Sequence, residues 1–240
     1  MTESRRVTRR HTMTLLAVGA AGGALMSREA FAAGSGADAG SLMPGAAVCA
    51  ITPETTEGPY YFDPSLERTD ITEGRPGAPA DMRLQVVDAA CRPIEGARVD
   101  LWHCDAAGLY SGYPGQGDDR GTDTSGQTFM RGTQFADAEG MVRFRTVYPG
   151  WYRGRTTHMH FKVFLDRSTA LTGQIFFPDA VSEAVYASPA YSRPGRRDTL
   201  NGNDGIARRA GSAAMAQVES GEEAYLVSMI IGVDAGGRGA

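Results

Sequence analysis

The chain is 240 residues long, 42% hydrophobic and 22% charged, with 24 Lys and Arg against 28 Asp and Glu for a net charge of −4 at neutral pH. That length supports one sizeable core in a single domain. Removing residues 1–32, which hold five arginines and two glutamates, leaves 19 basic against 26 acidic residues, a balance of −7 that argues against a nucleic-acid partner.

In chain order, "RRVTRRHT" is basic, "MTLLAVGAAGGALM" is a short apolar stretch, and "AFA" ends at Ala32 as a small-residue cleavage site. Residues 1–32 therefore read as an export signal. The paired arginines Arg5-Arg6 and Arg9-Arg10 favour the twin-arginine route over general secretion, although His11 and Thr12 stand where a large apolar residue is usual. The apolar stretch falls short of the roughly 20 residues that span a bilayer, and no later segment approaches that length. The expected product is exported, periplasmic or secreted, with no membrane span after signal removal. Residues 33–48, small and aperiodic, read as a flexible leader, and residues 49–240 as the folded domain.

Strand-like runs follow at 83–88 ("RLQVVD"), 97–103 ("ARVDLWH"), 140–148 ("GMVRFRTVY"), 157–165 ("THMHFKVFL"), 172–177 ("TGQIFF") and 224–233 ("AYLVSMIIGV"). One helix is predicted at 179–187 ("DAVSEAVYA"), with Asp179 as its cap. Gly/Pro turns between the runs and no long amphipathic helix predict an all-β, antiparallel two-sheet β-sandwich with few short helices. Of the three cysteines, Cys91 and Cys104 stand at opposite ends of one strand, too far apart for a disulfide, so Cys49 is the expected partner, of Cys104.

The pair His158 and His160 carries the chemistry. Residues i and i+2 of a strand project from one face about 6 to 7 Å apart, so both imidazoles can reach one ion while Met159 packs the other way. Two packed, hydrogen-bonded histidines are the bland alternative. A cupin-like set needs a later histidine, and none follows His160. A zinc hydrolase would use His103, His158 and His160. A third set adds the phenols of Tyr110 and Tyr152, hard anionic donors that favour Fe(III) over Zn(II) or Cu(I).

At these residues the chain resembles the intradiol ring-cleavage dioxygenases, specifically exported single-domain members. The resemblance is carried by "TPETTEGPYYFD", "VDLWHCDAAGLYS", "FRTVYPGWYRGRTTHMHFKV" and "LTGQIFFPD", and runs from about residue 50 to 206. It implies a non-haem Fe(III) held by Tyr110, Tyr152, His158 and His160, and cleavage of a catechol between its two hydroxylated carbons with O2 to give muconate-type diacids. Tyr110 is implied to be the ligand that stays. Tyr152 and His160 would form the axial pair, with Tyr152 displaced by the substrate and acting as a base. Arg155 is implied to face the ring and stabilise charge on it, with help from Gln174, while Tyr60 and Tyr61 would line the substrate pocket.

Two departures from the resemblance stand out. Tyr152 and His158 are only six positions apart, whereas the intracellular enzymes have a longer loop there, and the N-terminal helical segment that dimerises intracellular catechol enzymes is missing. Both imply a more open pocket. The implied partners are a small-molecule catechol and O2, with the protein a monomer or homo-oligomer that needs no second subunit for its iron ligands. The rival from another class is a non-catalytic phenol- or saccharide-binding sandwich module.

Overall fold

The computed structural model describes residues 42, 50–63, 65–166 and 168–234. The predicted export signal, most of the leader and Cys49 lie outside the described residues. Eight strands and two short α-helices follow in order: β1 (Pro79–Val87), β2 (Arg98–Trp102), β3 (Arg131–Phe135), β4 (Met141–Val147), β5 (His158–Leu165), β6 (Ser168–Phe176), α1 (Asp179–Tyr186), α2 (Gly205–Ala210), β7 (Gln217–Ser220) and β8 (Tyr225–Gly232).

The strands form two four-stranded sheets, ordered β4-β1-β8-β7 and β3-β2-β5-β6. Alternation decides which side chains meet between them. Ala80, Met82, Leu84 and Val86 of β1, Phe144 of β4 and Val227, Met229 and Ile231 of β8 share one buried cluster with Val99 and Leu101 of β2, Met159, Phe161 and Val163 of β5 and Ile175 of β6. This is the predicted sandwich. Each fully buried Phe, Leu or Val contributes about 1.5–3 kcal/mol of transfer free energy, so this inner layer is the main force holding the sheets together. One pairing departs from the expected antiparallel pattern, because β8 returns along the far end of the chain to lie parallel beside β1.

Other expectations need correcting. Asp179 does not cap α1; Pro178 occupies that position without a side-chain cap bond, and Asp179 sits in the first turn, where its carboxylate pairs with Arg197. The predicted Cys49–Cys104 pairing also fails. Cys104 is a free, buried thiol 3.3 Å from Gly150 O, whereas Cys91, in the turn after β1, is disulfide-bonded. Cys91 and Cys104 are not joined to each other, in keeping with their positions on either side of β2. Burial decides the rest, since the Cys104 thiol packs inward with Trp102 and Tyr110.

The outer face of the second sheet positions the site. Register places Arg131, Trp102, His160 and Gln174 side by side across β3, β2, β5 and β6. Segments 51–62, 104–130 and 149–157 cover this face, leaving His158 and His160 only 1% and 3% exposed. Among the described residues, no helix is long and apolar enough to cross a membrane.

Candidate active site

The turn of the β5 backbone that buries Met159 sends His158 and His160 outward together, and their Nε2 atoms stand 3.1 Å apart. Tyr110 arrives on the loop after β2 and Tyr152 on the loop that enters β5. Tyr152 Oη lies 3.0 Å from His158 Nε2, and Tyr110 Oη lies 3.4 Å from both that nitrogen and Tyr152 Oη. Arg155 Nη1 approaches the same nitrogen at 3.5 Å. The four predicted ligands and the predicted arginine thus converge on one point.

The proton arrangement at this point follows from its surroundings. His158 Nδ1 is 2.7 Å from the Thr156 carbonyl, an acceptor only, so Nδ1 carries the proton and Nε2 offers its single lone pair to the cluster. Burial lowers the His158 pKa to about 3, with the Arg155 charge adding to the effect, and likewise depresses His160. Both imidazoles are neutral. Burial raises the phenols of Tyr110 and Tyr152 above their ordinary value, so in the bare protein they keep their protons. Two phenol O–H groups, an imidazole and a guanidinium then crowd one lone pair, which can satisfy one of them.

A cation at the convergence removes the conflict among Tyr110, Tyr152, His158 and His160, because each of these four side chains then presents a lone pair and the phenols can ionise. Two imidazole nitrogens and two phenolate oxygens are the donor set of a hard, highly charged ion. Among the described residues there is no group of three or more His, Cys, Asp or Glu arranged to hold a metal. The three-histidine zinc set is therefore not formed. His103 is wholly buried, with Nδ1 2.8 Å from Cys104 O and Nε2 2.8 Å from Thr146 Oγ1, so both its ring nitrogens are already engaged.

The surroundings hold several members in place. Tyr110 N–H donates to Gln116 Oε1, its carbonyl accepts from Thr124 Oγ1 at 2.6 Å, and Tyr60 stacks on its ring at 4.7 Å. His160 stacks on Trp102, with ring centroids 5.1 Å apart and planes 12° from parallel. Gly58, at φ +72°, lies so near that a Cβ there would stand 3.1 Å from His160 Cε1. Among the described residues the Tyr152 hydroxyl, like that of Tyr110, has hydrogen-bonding contacts only within the cluster, to Tyr110 and His158. Tyr152 borders a cavity of about 270 Å³ that is also lined by Tyr60, Tyr110, Gln116, Asp118 and Arg193.

Arg155 and Gln174 are brought together as predicted, with Arg155 Nη2 donating to Gln174 Oε1 at 2.6 Å and Gln174 Nε2 donating to Thr56 O at 2.8 Å. Tyr60 reaches the cavity. Tyr61 does not, because it packs on Trp102 and donates its hydroxyl to Asp100 at 2.8 Å. Three participants were missed in the sequence: Thr156, whose carbonyl orients His158; Trp102 as the stacking partner of His160; and Asp204, which holds Arg155 Nε at 2.8 Å. Asp204 had a readable signal as the cap of a Gly-Ile-Ala-Arg run. The other two depend on register and a backbone carbonyl, which carry no residue signature.

The class and the family follow from comparison with known proteins. Residues 56–193 match the family model described as Dioxygenase. A solved intradiol ring-cleavage dioxygenase from Tetranychus urticae is 30% identical, with a TM-score of 0.72 over 80% of this chain and 98% of that one. The chain belongs to the intradiol ring-cleavage dioxygenase family. It is also similar to the dioxygenase domain of a dioxygenase carbohydrate-binding protein fusion from Streptomyces sp. SirexAA-E, 28% identical with a TM-score of 0.57 over 77% of this chain and 99% of that one. A catechol 1,2-dioxygenase from Pseudomonas sp. (strain EST1001) is 36% identical over 107 residues, 42% of this chain and 32% of that protein. The chain spans about a third to a half of the length of the curated relatives it matches.

Proposed function

We propose that the protein is an Fe(III)-dependent intradiol dioxygenase that cleaves catechol-type aromatics between the two hydroxylated carbons, taking up both atoms of O2 to give muconate-type diacids. The observation that carries this reading is the convergence of Tyr110, Tyr152, His158 and His160 on one point, with the Arg155 guanidinium beside it. Those four side chains would hold the iron. When bound, ferric iron supplies a strong Lewis acid that keeps phenols ionised near neutral pH and draws electron density from a chelated catecholate.

The chain's own residues divide the remaining work. Tyr110, tied through its backbone to Gln116 and Thr124, stays in place. Tyr152, which also lines the adjoining cavity, would be the tyrosine that gives way to substrate, and its Oη would accept a proton from a catechol hydroxyl. Thr156 and Trp102 hold the planes of His158 and His160. Arg155, gripped by Gln174 and Asp204, presents Nη1 to the place where negative charge develops on the ring, an arrangement that needs no reorganisation during reaction. Gln174 fixes that guanidinium from the other side.

Colour is a direct test. Protein loaded with Fe(III) is expected to be red to burgundy from phenolate-to-iron charge transfer and to consume O2 with catechol. Colourless protein that retains no iron and consumes no O2 would contradict the reading and favour the binding module. We further propose export by the twin-arginine route, motivated by the paired arginines and the "AFA" site. N-terminal sequencing of protein from the envelope or medium should begin at or near Ala33, and an intact Met1 there would contradict it.

A further inference from the structure

Asp204 lies outside every motif that points to the site, yet its carboxylate joins two segments. The side chain is nearly inaccessible, 2% exposed. Oδ1 accepts from the N–H groups of Ile206 at 2.7 Å and Ala207 at 3.1 Å, capping α2. Oδ2 accepts from Arg155 Nε at 2.8 Å and Thr156 N–H at 2.9 Å. Two donors come from each segment. Burial pushes the carboxyl upward, but the Thr156 and Arg155 donors outweigh it and hold Asp204 below the usual carboxylate range.

The geometry at Arg155 shows the consequence. Nε is taken by Asp204 and Nη2 by Gln174, so the planar guanidinium is held at two of its three nitrogens. The third, Nη1, faces His158 Nε2 at 3.5 Å. The same Oδ2 also holds the N–H of Thr156, whose carbonyl accepts from His158 Nδ1 at 2.7 Å. A planar fork anchored along one edge has one direction left for its remaining donor.

We propose that Asp204 is a positioning residue for ring cleavage: its carboxylate sets the aim of Arg155 Nη1 and, through the Thr156 peptide, the plane of the His158 ring. The inference rests on the reading above that Arg155 stabilises charge on the bound ring. Asp204 touches neither the substrate cavity nor the converging ligand atoms. It acts through the two groups it holds.

A residue that merely caps a helix is distinguishable from one that aims an arginine. Asp204→Asn keeps a side-chain oxygen for the cap, at which Asn and Asp are equally good, but replaces Oδ2 by an amide that donates and cannot accept from Arg155 or Thr156. Asp204→Ser keeps a capping oxygen without a second one, and serves if the buried amide impairs folding. Ala210→Gly loosens the same helix without touching the carboxylate.

The measurements are kcat and KM for catechol, the visible absorption band and the melting temperature of the iron-loaded full chain. Asp204→Asn, or Asp204→Ser, is expected to lose about tenfold or more in kcat with KM within about twofold and the visible band retained, the scale of loss for a misplaced catalytic group. The double variant with Arg155→Ala should be no slower than Arg155→Ala alone. Ala210→Gly should lower the melting temperature and leave kcat within about twofold. Full turnover in Asp204→Asn and Asp204→Ser, alongside an Arg155→Ala variant slowed about 10²-fold, would overturn the positioning role and leave the reading of Arg155 standing. Losses that multiply in the double variant would overturn it too. An Arg155→Ala variant as fast as wild type would overturn the reading of Arg155 itself, and the positioning role with it.

Discussion

The Nε2 lone pair of His158 faces two phenols, the His160 imidazole and the Arg155 guanidinium, and the role proposed for each can be tested one residue at a time. His158→Ala or His160→Ala removes one of two nitrogen donors from a set of four, so each variant should lose bound iron and colour on dialysis against a weak chelator. Tyr148 is the control. It stands in the same "VYPGWY" stretch, but it is fully buried and hydrogen-bonded to Ser182 Oγ at 2.9 Å, far from the converging atoms in its contacts. Tyr148→Phe should keep iron content and the visible band, whereas Tyr152→Phe should shift or weaken that band. A bleached Tyr148→Phe protein beside an unchanged Tyr152→Phe protein would mean the wrong tyrosine had been assigned. At this scale the sequence is informative about which side chains meet, as with the two histidines, the two tyrosines, Arg155 and Gln174, which the fold brings together. It is silent on the Thr156 carbonyl, because every residue carries one, and misleading on Tyr61, whose hydroxyl Asp100 captures.

The elements that the sequence reveals are those whose own residues alternate. β5 reads clearly because Met159, Phe161 and Val163 face the core while His158, His160 and Lys162 face the covering loops. β3, "RGTQF", has no such pattern. It forms because Arg98–Trp102 offers it a partner on one side and Thr133 exchanges backbone hydrogen bonds with the segment at Leu66 and Arg68 on the other. β7 is a short, mostly exposed strand at the sheet edge, and α2 is six residues long, so neither presents a face for periodicity to report. The β5·β6 pairing gives a test at this scale. Gly173 lies opposite Phe161, and a Cβ there would stand 2.2 Å from Phe161 Cζ. Gly173→Ala must therefore displace a fully buried ring, at a cost of about 1–3 kcal/mol. Thermal unfolding should show a melting temperature lower by several degrees, and an unchanged one would mean that the inner layer has slack at this position.

For the whole molecule, the arrangement of layers was legible from run spacing and turn residues, while the parallel β1·β8 pairing was not, since it joins residues near 80 to residues near 230 and no local pattern records such a distance. The sandwich matters to function because it makes one sheet face rigid. Residues from β2, β5 and β6 reach the site from packed strands, and the two tyrosines are delivered from loops laid over them. Both tyrosines also line the adjoining cavity, which places them between the histidines and the open space. Cleavage between the hydroxylated carbons is what this arrangement is proposed to achieve, and product identity tests it most directly. Iron-loaded protein incubated with catechol under isotopically labelled O2 should yield a muconate-type diacid carrying both labelled atoms by mass spectrometry. A yellow semialdehyde, formed by cleavage beside the hydroxyls, would contradict the account.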